Sequence, residues 1–580
     1  MKHFSLNLIK FLSITFCLLY CFSCKANSSP NINIDKSNIP NPPYNDVAEK
    51  FIRVNGTKLV CSDGSDFFIK GMAFGNLVWD NKNEEPKYHH TKESYKELKD
   101  MGFNAVRFYI NYRLFEEDSN PYVYKNTGFE WLDKNIQWAK DNGIYLIVNM
   151  HVPQGGFQSN GDGQALFRNP KNQNRLIELW KVIAEYYKDC STIIGWGLVN
   201  EPVVPYINNN SKESLQQWHN LAQKITNAIR KVDSNHILFI ERAISVTDEN
   251  KNYFSYDVKD SYPIIQDENI VYEFHSYDPL DFTHQHASWI PTLTETIKYP
   301  DETKCFIENT TWVEQKTILF GNTKKELSTQ WKEFTHSFSA NQIDFSKKNV
   351  FSPSIKPGNL QSMFLLIDDI VIKETNKDGN TTILKEYTFD EKPNWYFGTD
   401  PNNPDGTVIW ESNDGHNKYG CYKTSNTKSW AYLTSPDQFP IKEDCTYTIS
   451  VWAKMQNSEL NNSYAEFGFD IYYAELVANF SKDYIQQIIK KYINCLTEFN
   501  KPIFVGEFGC IRNCFEGNGG LEYVKDSLEV FRDYTAGFSY HTYHEWNFGL
   551  HYTNPGWQLP NEEEVNTELK EFFTEILPSF

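Results

Sequence analysis

Two glutamates, each within a short apolar run, are of a residue type suited to acid–base and nucleophilic chemistry. Glu201 lies in the run 193–202 (IIGWGLVNEP), and Glu507 lies in the run 502–509 (PIFVGEFG). Hydrolysis of a glycosidic bond needs one carboxylic acid to protonate the leaving oxygen and one carboxylate on the other side of the sugar ring. The two runs therefore predict a pair of catalytic carboxylates.

Strand-like runs alternate with helical runs around these glutamates, which is typical of a parallel sheet. The helical runs include 93–101, 131–142, 175–190, 215–232 and 482–499. Eight strands would close a barrel, in which a glutamate at a strand's carboxyl end has a position suited to catalysis. The predicted strands are 67–71, 105–109, 145–150, 194–199, 237–240, 270–274, 503–505 and 537–541.

A long interval between the sixth and seventh predicted strands has a different pattern. Its runs alternate or are rich in β-formers, and Gly, Pro, Asn and Asp interrupt them, which predicts an antiparallel sandwich. We therefore predict the fold class as an α/β barrel with an all-β sandwich inserted after the sixth strand. The predicted catalytic domain is 47–300 with 475–580, and the predicted insert is 301–474.

Composition and charge restrict the partners. The chain has 580 residues, of which 56 are basic and 75 acidic, and its net charge is −19. Nucleic acids and anionic membrane surfaces would repel such a protein, whereas a neutral polymer would not. Aromatic residues make up 16% of the chain, and their flat amphipathic rings suit the apolar faces of sugars.

The N-terminal segment is typical of an export signal. Lys2 and Lys10 precede an apolar stretch, 11–22, that is too short to span a bilayer comfortably. Ser23 before Cys24 suits lipoprotein processing, although Cys21 stands where that signal usually has Leu. We predict residues 1–24 to be a signal peptide with a lipid anchor at Cys24, and 25–46 to be a flexible linker. Plain secretion is the alternative to a cell-surface or outer-membrane lipoprotein.

The cysteines outside the signal region do not follow the spacing of a zinc site. Export permits some of them to be oxidised, and Cys421 with Cys445 and Cys510 with Cys514 are possible pairs. The sequence does not fix this connectivity. We expect neither a metal nor a cofactor.

The barrel portion resembles glycoside hydrolase family 5, the cellulase-type retaining enzymes, over nearly all of 50–300 and 475–580. The resemblance implies Glu201 as acid/base and Glu507 as nucleophile. It also implies six substrate-binding positions near strand ends: Arg107 (NAVRFY), His151 (LIVNMH), Asn200 (NEP), His275 and Tyr277 (YEFHSYDP), and Trp546 (HEWNFG).

The resemblance gives each of these positions an expected role. Asn200 would hydrogen-bond the sugar 2-hydroxyl, and Arg107 would hold Glu507 ionised and oriented. Tyr277 would contact the nucleophile, and Trp546 would form a platform under the sugar. The histidines would donate to substrate hydroxyls or carboxylates. Four further residues near strand ends, Glu241, His541, His544 and Glu545, are left out of the predicted site because charged groups crowd the top of any such barrel.

The insert resembles a jelly-roll carbohydrate-binding module in which the segment order is changed. A segment such as 446–454 (TYTISVWAK) normally precedes segments such as 331–340 and 364–373, but here it follows them. We interpret this as a circularly permuted module, with two half-modules of separate folds as the alternative. Candidates for sugar stacking in the insert are Trp395, Tyr396, Trp410 and Trp430.

The sequence therefore predicts a monomeric, exported, retaining endo-β-1,4-glucanase with an inserted glycan-binding module. Family 5 enzymes also act on mannan, xyloglucan and mixed-linkage glucan, because a fold does not fix a substrate. Exo action is open as well, since the insert follows a strand end on the catalytic face and could cover one end of the cleft. A hypothesis of another class is a surface glycan-binding protein without activity.

Overall fold

The computed structural model describes residues 34–78, 90–159, 164–313, 325–358, 364–389, 394–399, 406–409, 421–424, 431–455, 464–553 and 564–580. The predicted signal peptide with Cys24, residues 25–33 of the predicted linker, Trp410 and Trp430 lie outside these residues. Within the described ranges, no helix combines the length and the apolar character that crossing a bilayer requires.

Eight strands close into a parallel barrel, and their order around it follows their order in the chain. This confirms the predicted α/β barrel, and further β-sheets follow the sixth strand as expected. The barrel strands are Ile69–Phe74, Ala105–Asn111, Tyr145–Val152, Ile193–Gly197, Ile237–Glu241, Ile270–Ser276, Ile503–Phe508 and Gly537–Tyr540.

The chain divides into two compact units. The first comprises Met1–Phe67 with Ala73–Glu273, and the second comprises Phe68–Met72 with Phe274–Phe580. The second to fifth barrel strands belong to the first unit. The seventh and eighth barrel strands and the inserted sheets belong to the second.

Helices follow the barrel strands, and three of them begin at an asparagine cap, namely Asn169, Asn210 and Asn566. The Asn169 side chain accepts a hydrogen bond from the Lys171 backbone, and the Asn210 side chain accepts from two backbone N–H groups. The α-helices are Lys92–Asp100, Asn126–Asp141, Gln164–Arg168, Pro170–Tyr187, Ser211–Arg230, Val258–Ser261, Leu280–Thr283, Lys482–Asn494, Gly520–Tyr534 and Thr567–Ile576.

The barrel strands are apolar along their length because both of their faces are covered. Every residue of Ala105–Asn111 and of Ile270–Ser276 is buried. An exposed strand would instead alternate apolar and polar residues. The polar groups within these buried runs, which include Arg107 and Glu273, therefore need partners of their own.

The inserted region forms two antiparallel sheets. In the first, the strands lie in the order Thr311–Val313, Tyr464–Ala474, Lys348–Gly358, Ala431–Thr434, Tyr396–Thr399. Lys325–Glu326 also pairs with Tyr464–Ala474, and Phe439–Pro440 also pairs with Lys348–Gly358. The other has the order Lys332–Ser339, Thr446–Met455, Phe364–Thr375, Cys421–Thr424, Gly406–Ile409, with Thr381–Tyr387 paired to Phe364–Thr375.

Segments from both halves of the insert build one sheet and one core. Thr446–Met455 pairs with Lys332–Ser339 on one side and with Phe364–Thr375 on the other. One cluster of buried apolar side chains includes residues from Leu327 to Ile471. The alternative of two half-modules with separate folds is therefore wrong, and a permuted order within one module stays a prediction.

A two-stranded ribbon joins these sheets to the seventh-strand part of the barrel. Asp301–Glu308 pairs antiparallel with Leu476–Phe480, and the chain then enters the helix Lys482–Asn494. The Phe306 and Tyr484 rings lie 4.4 Å apart between centroids, which packs the ribbon against that helix. Both ends of the insert therefore lie in the same ribbon.

Candidate active site

Glu201 follows the fourth barrel strand in a backbone conformation that non-glycine residues seldom adopt. Its φ is 45°, within the left-handed region, which costs about 1–3 kcal/mol at a residue with a side chain. The Glu201 N–H donates a 2.9 Å hydrogen bond to Oε2 of Glu241, and the Ser159 hydroxyl donates to the Glu201 carboxylate. These contacts hold a half-exposed carboxylate in one orientation.

A buried ionic network supports the residue before Glu201. Nη2 of Arg107 donates a 2.9 Å hydrogen bond to Oδ1 of Asn200. Nε of the same guanidinium lies 2.9 Å from Oε1 of Glu273, and Nη2 lies 3.8 Å from Oε2 of Glu241. Arg107 and Glu273 are fully buried. Because the guanidinium donates to the Asn200 oxygen, the amide is left with its N–H groups to offer to a ligand.

His151 lies at the end of the third barrel strand between aromatic rings. Its ring stacks on Tyr109 at 3.9 Å between centroids, and Phe157 lies at 5.4 Å. Nδ1 of His151 is 3.3 Å from Oδ1 of Asn149. The imidazole is therefore buried and fixed in its plane.

Glu507 lies within the seventh barrel strand and is 5% exposed. The Tyr277 hydroxyl donates a 3.0 Å hydrogen bond to its Oε2. Nδ1 of His275 lies 3.5 Å from the same oxygen. Both partners come from the end of the sixth strand and the turn after it, so the neighbouring strand positions this carboxylate.

His541, which was not among the predicted site residues, is a further neighbour of Glu507. It directly follows the eighth barrel strand, with Nδ1 3.9 Å from Oε2 of Glu507 and Nε2 3.3 Å from Oε2 of Glu545. Burial lowers the pKa of His541, but the charge of Glu507 and the hydrogen bond with Glu545 outweigh it and raise that pKa above its ordinary value.

Trp546, the expected sugar platform, lies in the loop beyond His541. Its ring faces the Arg512 guanidinium at 4.6 Å, and that guanidinium also lies 4.3 Å from the Tyr552 ring. The residue that follows the eighth strand and contacts Glu507 is His541 rather than the tryptophan. A platform at Trp546 therefore stays a prediction.

An aromatic row extends from Tyr277 to an exposed tryptophan. The Tyr277 and His284 rings are 5.2 Å apart, and the His284 and Trp289 rings are 6.2 Å apart. Phe548 packs against all three rings, with its centroid 5.0 Å from that of His284. Trp289 is 49% exposed. A large apolar ring left in solvent beside a polar site is suited to stacking on a sugar.

The structure thus assembles two groups of predicted residues, one in each compact unit. Asn200, Glu201 and Arg107 share contacts in the first, and His275, Tyr277 and Glu507 share contacts in the second. Both groups also contain residues that were left out or not singled out. For the charged residues among them, the sequence signal that could have identified them is a charged residue within or at the end of a buried strand. The additional residues are Ser159, Glu241 and Glu273 in the first unit, and His541 and Glu545 in the second.

The possible disulfide after the seventh strand, between Cys510 and Cys514, is not formed. Cys510 and Cys514 are both free and buried. Burial and a hydrogen bond with Cys514 raise the pKa of the Cys510 thiol, so the two thiols are neighbours without a disulfide. Cys445 is free as well, and the side chain of Cys421 lies outside the described residues.

The polar atoms around the two glutamates are carboxylate oxygens, imidazole nitrogens and hydroxyl oxygens. Such atoms can bind sugar hydroxyls or, by their chemistry, a divalent cation. The expected absence of a metal therefore stays a prediction. Glu507, with hydroxyl and imidazole donors, could serve as a nucleophile, and the half-exposed Glu201 could exchange protons with a substrate or solvent.

Sequence comparisons identify relatives of the barrel. The family described as Cellulase (glycosyl hydrolase family 5) matches residues 60–344. Endoglucanase C of Acetivibrio thermocellus is 30% identical over 215 residues, which cover 37% of this chain and 58% of that protein. A β-xylosidase of Phanerodontia chrysosporium is 29% identical over 269 residues, covering 40% and 53% of the two chains. The chain therefore spans less than two thirds of the length of these curated relatives.

Among solved structures, an endoglucanase aligns over 88% of this chain and 97% of its own, with 15% identity and a TM-score of 0.44. The fold assignment depends on the closed barrel itself rather than on this alignment. The barrel and the sequence match of 60–344 agree with each other. Residues 60–344, which contain the first six barrel strands and Glu201, therefore match the cellulase family of glycosyl hydrolases, family 5, and the seventh and eighth strands lie outside the matched segment.

Proposed function

We propose that the protein is a retaining glycosidase that hydrolyses β-1,4-linked glucan, with Glu201 as acid/base and Glu507 as nucleophile. The carboxyl ends of the strands in a closed parallel barrel all lie at one end, so glutamates after the fourth strand and in the seventh are expected to share a site. The observation that carries the proposal is the surroundings of Glu507. A buried carboxylate that accepts a hydrogen bond from Tyr277 and lies beside His275 is prepared to attack.

The proposed reaction has two steps. In the first, a Glu507 oxygen attacks the anomeric carbon while Glu201 gives its proton to the leaving glycosidic oxygen. This step breaks the glycosidic bond and forms a glycosyl ester on Glu507. In the second, Glu201 removes a proton from water, the water oxygen attacks the anomeric carbon, and Glu507 leaves as a carboxylate.

The supporting residues act on these steps by position. The Asn200 N–H groups are proposed to hold the sugar 2-hydroxyl, a contact that strengthens in the transition state. Arg107 fixes the amide by donating to its oxygen. Tyr277 stabilises the Glu507 carboxylate before attack and as it leaves, because a hydrogen bond to a charged oxygen is stronger than one to a neutral ester.

The choice of β-glucan is supported by the names of relatives. Endoglucanase C is one, and Cellodextrinase A of Ruminococcus flavefaciens is 24% identical over 238 residues. A β-xylosidase is also among them, so the same chemistry on another β-glycan remains an alternative, as does exo action. A surface glycan-binding protein without turnover is the alternative of another class.

Reducing-sugar release tests the proposal. The purified mature protein would be assayed on carboxymethylcellulose, mixed-linkage glucan, xyloglucan and mannan beside Glu507→Gln. The proposal is supported if sugar is released from carboxymethylcellulose by the wild type and not by the variant. Release from a different polymer alone would show that this polymer, and not β-1,4-glucan, is the substrate. Binding without release from any polymer supports the binding-protein alternative.

We propose further that the chain is exported, with a lipid anchor at Cys24. The support is the sequence alone: a basic start, an apolar stretch and Ser23 before the cysteine. Metabolic labelling with a radioactive fatty acid tests it. Label on the wild type but not on Cys24→Ala supports the anchor, and an unlabelled protein in the medium supports plain secretion.

A further inference from the structure

One face of the sheet that contains Tyr464–Ala474 carries polar and aromatic side chains instead of core residues. On this strand Phe467, Phe469 and Ile471 point into the hydrophobic core. Successive side chains of a strand point to opposite faces, so Asp470 and Tyr472 point to the other face. This opposite surface is called the outer face below.

The neighbouring strands add residues to the outer face at matching positions. Ser352 is opposite Asp470, and Ser354 is opposite Thr434 on the next strand. Trp312 is opposite Tyr472 on one edge strand. On the other edge strand, Tyr396 is opposite Thr434.

The outer face combines a buried polar floor with exposed aromatic edges. Asp470 is 6% exposed, and Ser354 is fully buried. Trp312 is 53% exposed and Tyr396 is 61% exposed. Three strands lie between these two edge strands, so the edges are about 19 Å apart at the usual spacing of strands. Exposed aromatic rings beside polar groups are suited to a ligand that has both an apolar face and hydroxyl groups.

The charge state of the floor also suits a polar, neutral ligand. Burial raises the pKa of Asp470, opposed by the charge of Lys356 and by hydrogen bonds from Ser354, Thr434 and Trp312. A carboxyl group in this setting can accept hydrogen bonds from hydroxyl groups. An anionic polymer would meet the buried carboxyl and a chain of net charge −19, which both disfavour it.

We propose that the outer face is a binding groove for a neutral β-linked glycan chain, with Trp312 and Tyr396 stacking on sugar rings and Asp470 accepting from sugar hydroxyls. A sugar ring presents an apolar C–H face and a hydroxyl rim, which match an aromatic edge and a polar floor. The identity of the ligand as a β-glycan rests on the proposed function of the barrel. The groove itself rests on the residues of the sheet.

The test uses the full chain as Glu507→Gln, so that polymer is bound and not cut. Retardation in native gels that contain hydroxyethylcellulose, xyloglucan or glucomannan gives the affinity. Adding Trp312→Ala or Asp470→Asn should weaken the binding of at least one polymer about tenfold, the usual effect of removing a central contact. Adding Tyr396→Ala, on the opposite edge, should also weaken retardation, and it tests the groove independently if another variant does not fold.

Trp452→Ala in the same background is the matched control. Trp452 is 40% exposed, but it lies on the other sheet, in Thr446–Met455. Its retardation should equal that of the parent, and circular dichroism would confirm that all variants are folded. Unchanged retardation in the folded Trp312→Ala, Asp470→Asn and Tyr396→Ala variants would overturn the groove, as would a parent that no polymer retards.

Failure of the groove and failure of the catalytic proposal give different results. Reducing-sugar release by the protein with Glu507 intact measures catalysis alone. If sugar is released but retardation does not depend on Trp312, the groove proposal is wrong and the glycosidase proposal stands. If retardation depends on Trp312 but no polymer releases sugar, the groove proposal stands and the glycosidase proposal is wrong.

Discussion

The Tyr277 hydroxyl lies 3.0 Å from Oε2 of Glu507 and donates a hydrogen bond to it. The tyrosine follows the sixth barrel strand, and the glutamate lies in the seventh, so a single contact couples two neighbouring strands. In the proposed reaction, this oxygen is charged before attack and neutral in the ester. The hydrogen bond therefore influences the steps at which that charge is lost or restored.

Tyr277→Phe should lower kcat about 10- to 100-fold on an aryl cellobioside whose good leaving group makes deglycosylation rate-limiting, because the lost hydrogen bond, worth about 1.5–3 kcal/mol, stabilises the departing carboxylate. Steady-state kinetics would measure the loss. Phe548→Leu, which changes a neighbouring ring without a hydrogen bond to Glu507, is the control. Equal kcat in Tyr277→Phe and the wild type would exclude this role.

Arg107→Leu should lower the free energy of unfolding by about 3 kcal/mol or more, because Glu273 would stay buried without its guanidinium. Urea titration would measure it. Lys96→Ala is the control, since the Lys96–Asp100 pair is exposed and such pairs contribute at most about 1 kcal/mol. Similar losses in both variants would contradict the importance of the buried network.

His541 should stabilise the fold at low pH. Its pKa is raised in the folded state, so its stabilisation is complete below the unfolded value and is lost as pH rises through the folded value. His541→Gln should therefore lower the melting temperature more at pH 5.5 than at pH 9. Thermal unfolding over this pH range measures the difference.

His219 provides a control of opposite sign for that measurement. Burial lowers its pKa, so it disfavours the folded state as pH falls. His219→Gln should therefore become less harmful, relative to the wild type, as pH falls. If the two variants show the same pH trend, the assignment of the charge on His541 is wrong.

Trp289→Ala should raise KM for polymeric substrate about tenfold with little change in melting temperature, because the ring is half-exposed and ends the aromatic row that begins at Tyr277. Kinetics on soluble polymer and differential scanning fluorimetry would measure the two effects. Leu280→Ala, at an equally exposed apolar position, should change neither. An unaltered KM in Trp289→Ala would remove this ring from the binding surface.

The sequence was sufficient for the barrel because its strands are short apolar runs that end at polar groups. Glu201 and Glu507 were identifiable for that reason. Glu241 and His541 were set aside because charged residues near strand ends are common, and only the three-dimensional contacts distinguish a partner of Glu201 or Glu507 from a surface group. The left-handed backbone conformation of Glu201 could also not be predicted, because a positive φ at a glutamate has no signature in the sequence.

The insert shows a similar division. Its strand runs were predicted from alternation, but alternation did not predict the register shift between Asp368 and Ile370 within Phe364–Thr375. Trp395 is in the core, whereas the adjacent Tyr396 is exposed. Alternation assigns neighbouring residues to opposite faces, but it does not say which face is covered.

The most direct test of the account is to trap the glycosyl-enzyme. The wild-type protein would be incubated with a 2-deoxy-2-fluoro-cellobioside that carries a good leaving group, and the labelled peptide would be identified by mass spectrometry. With Glu507 as nucleophile, we expect one added fluorosugar on Glu507 and no label in Glu507→Gln. Label on Glu201, or turnover of cellobiosides with inversion at the anomeric carbon, would contradict it.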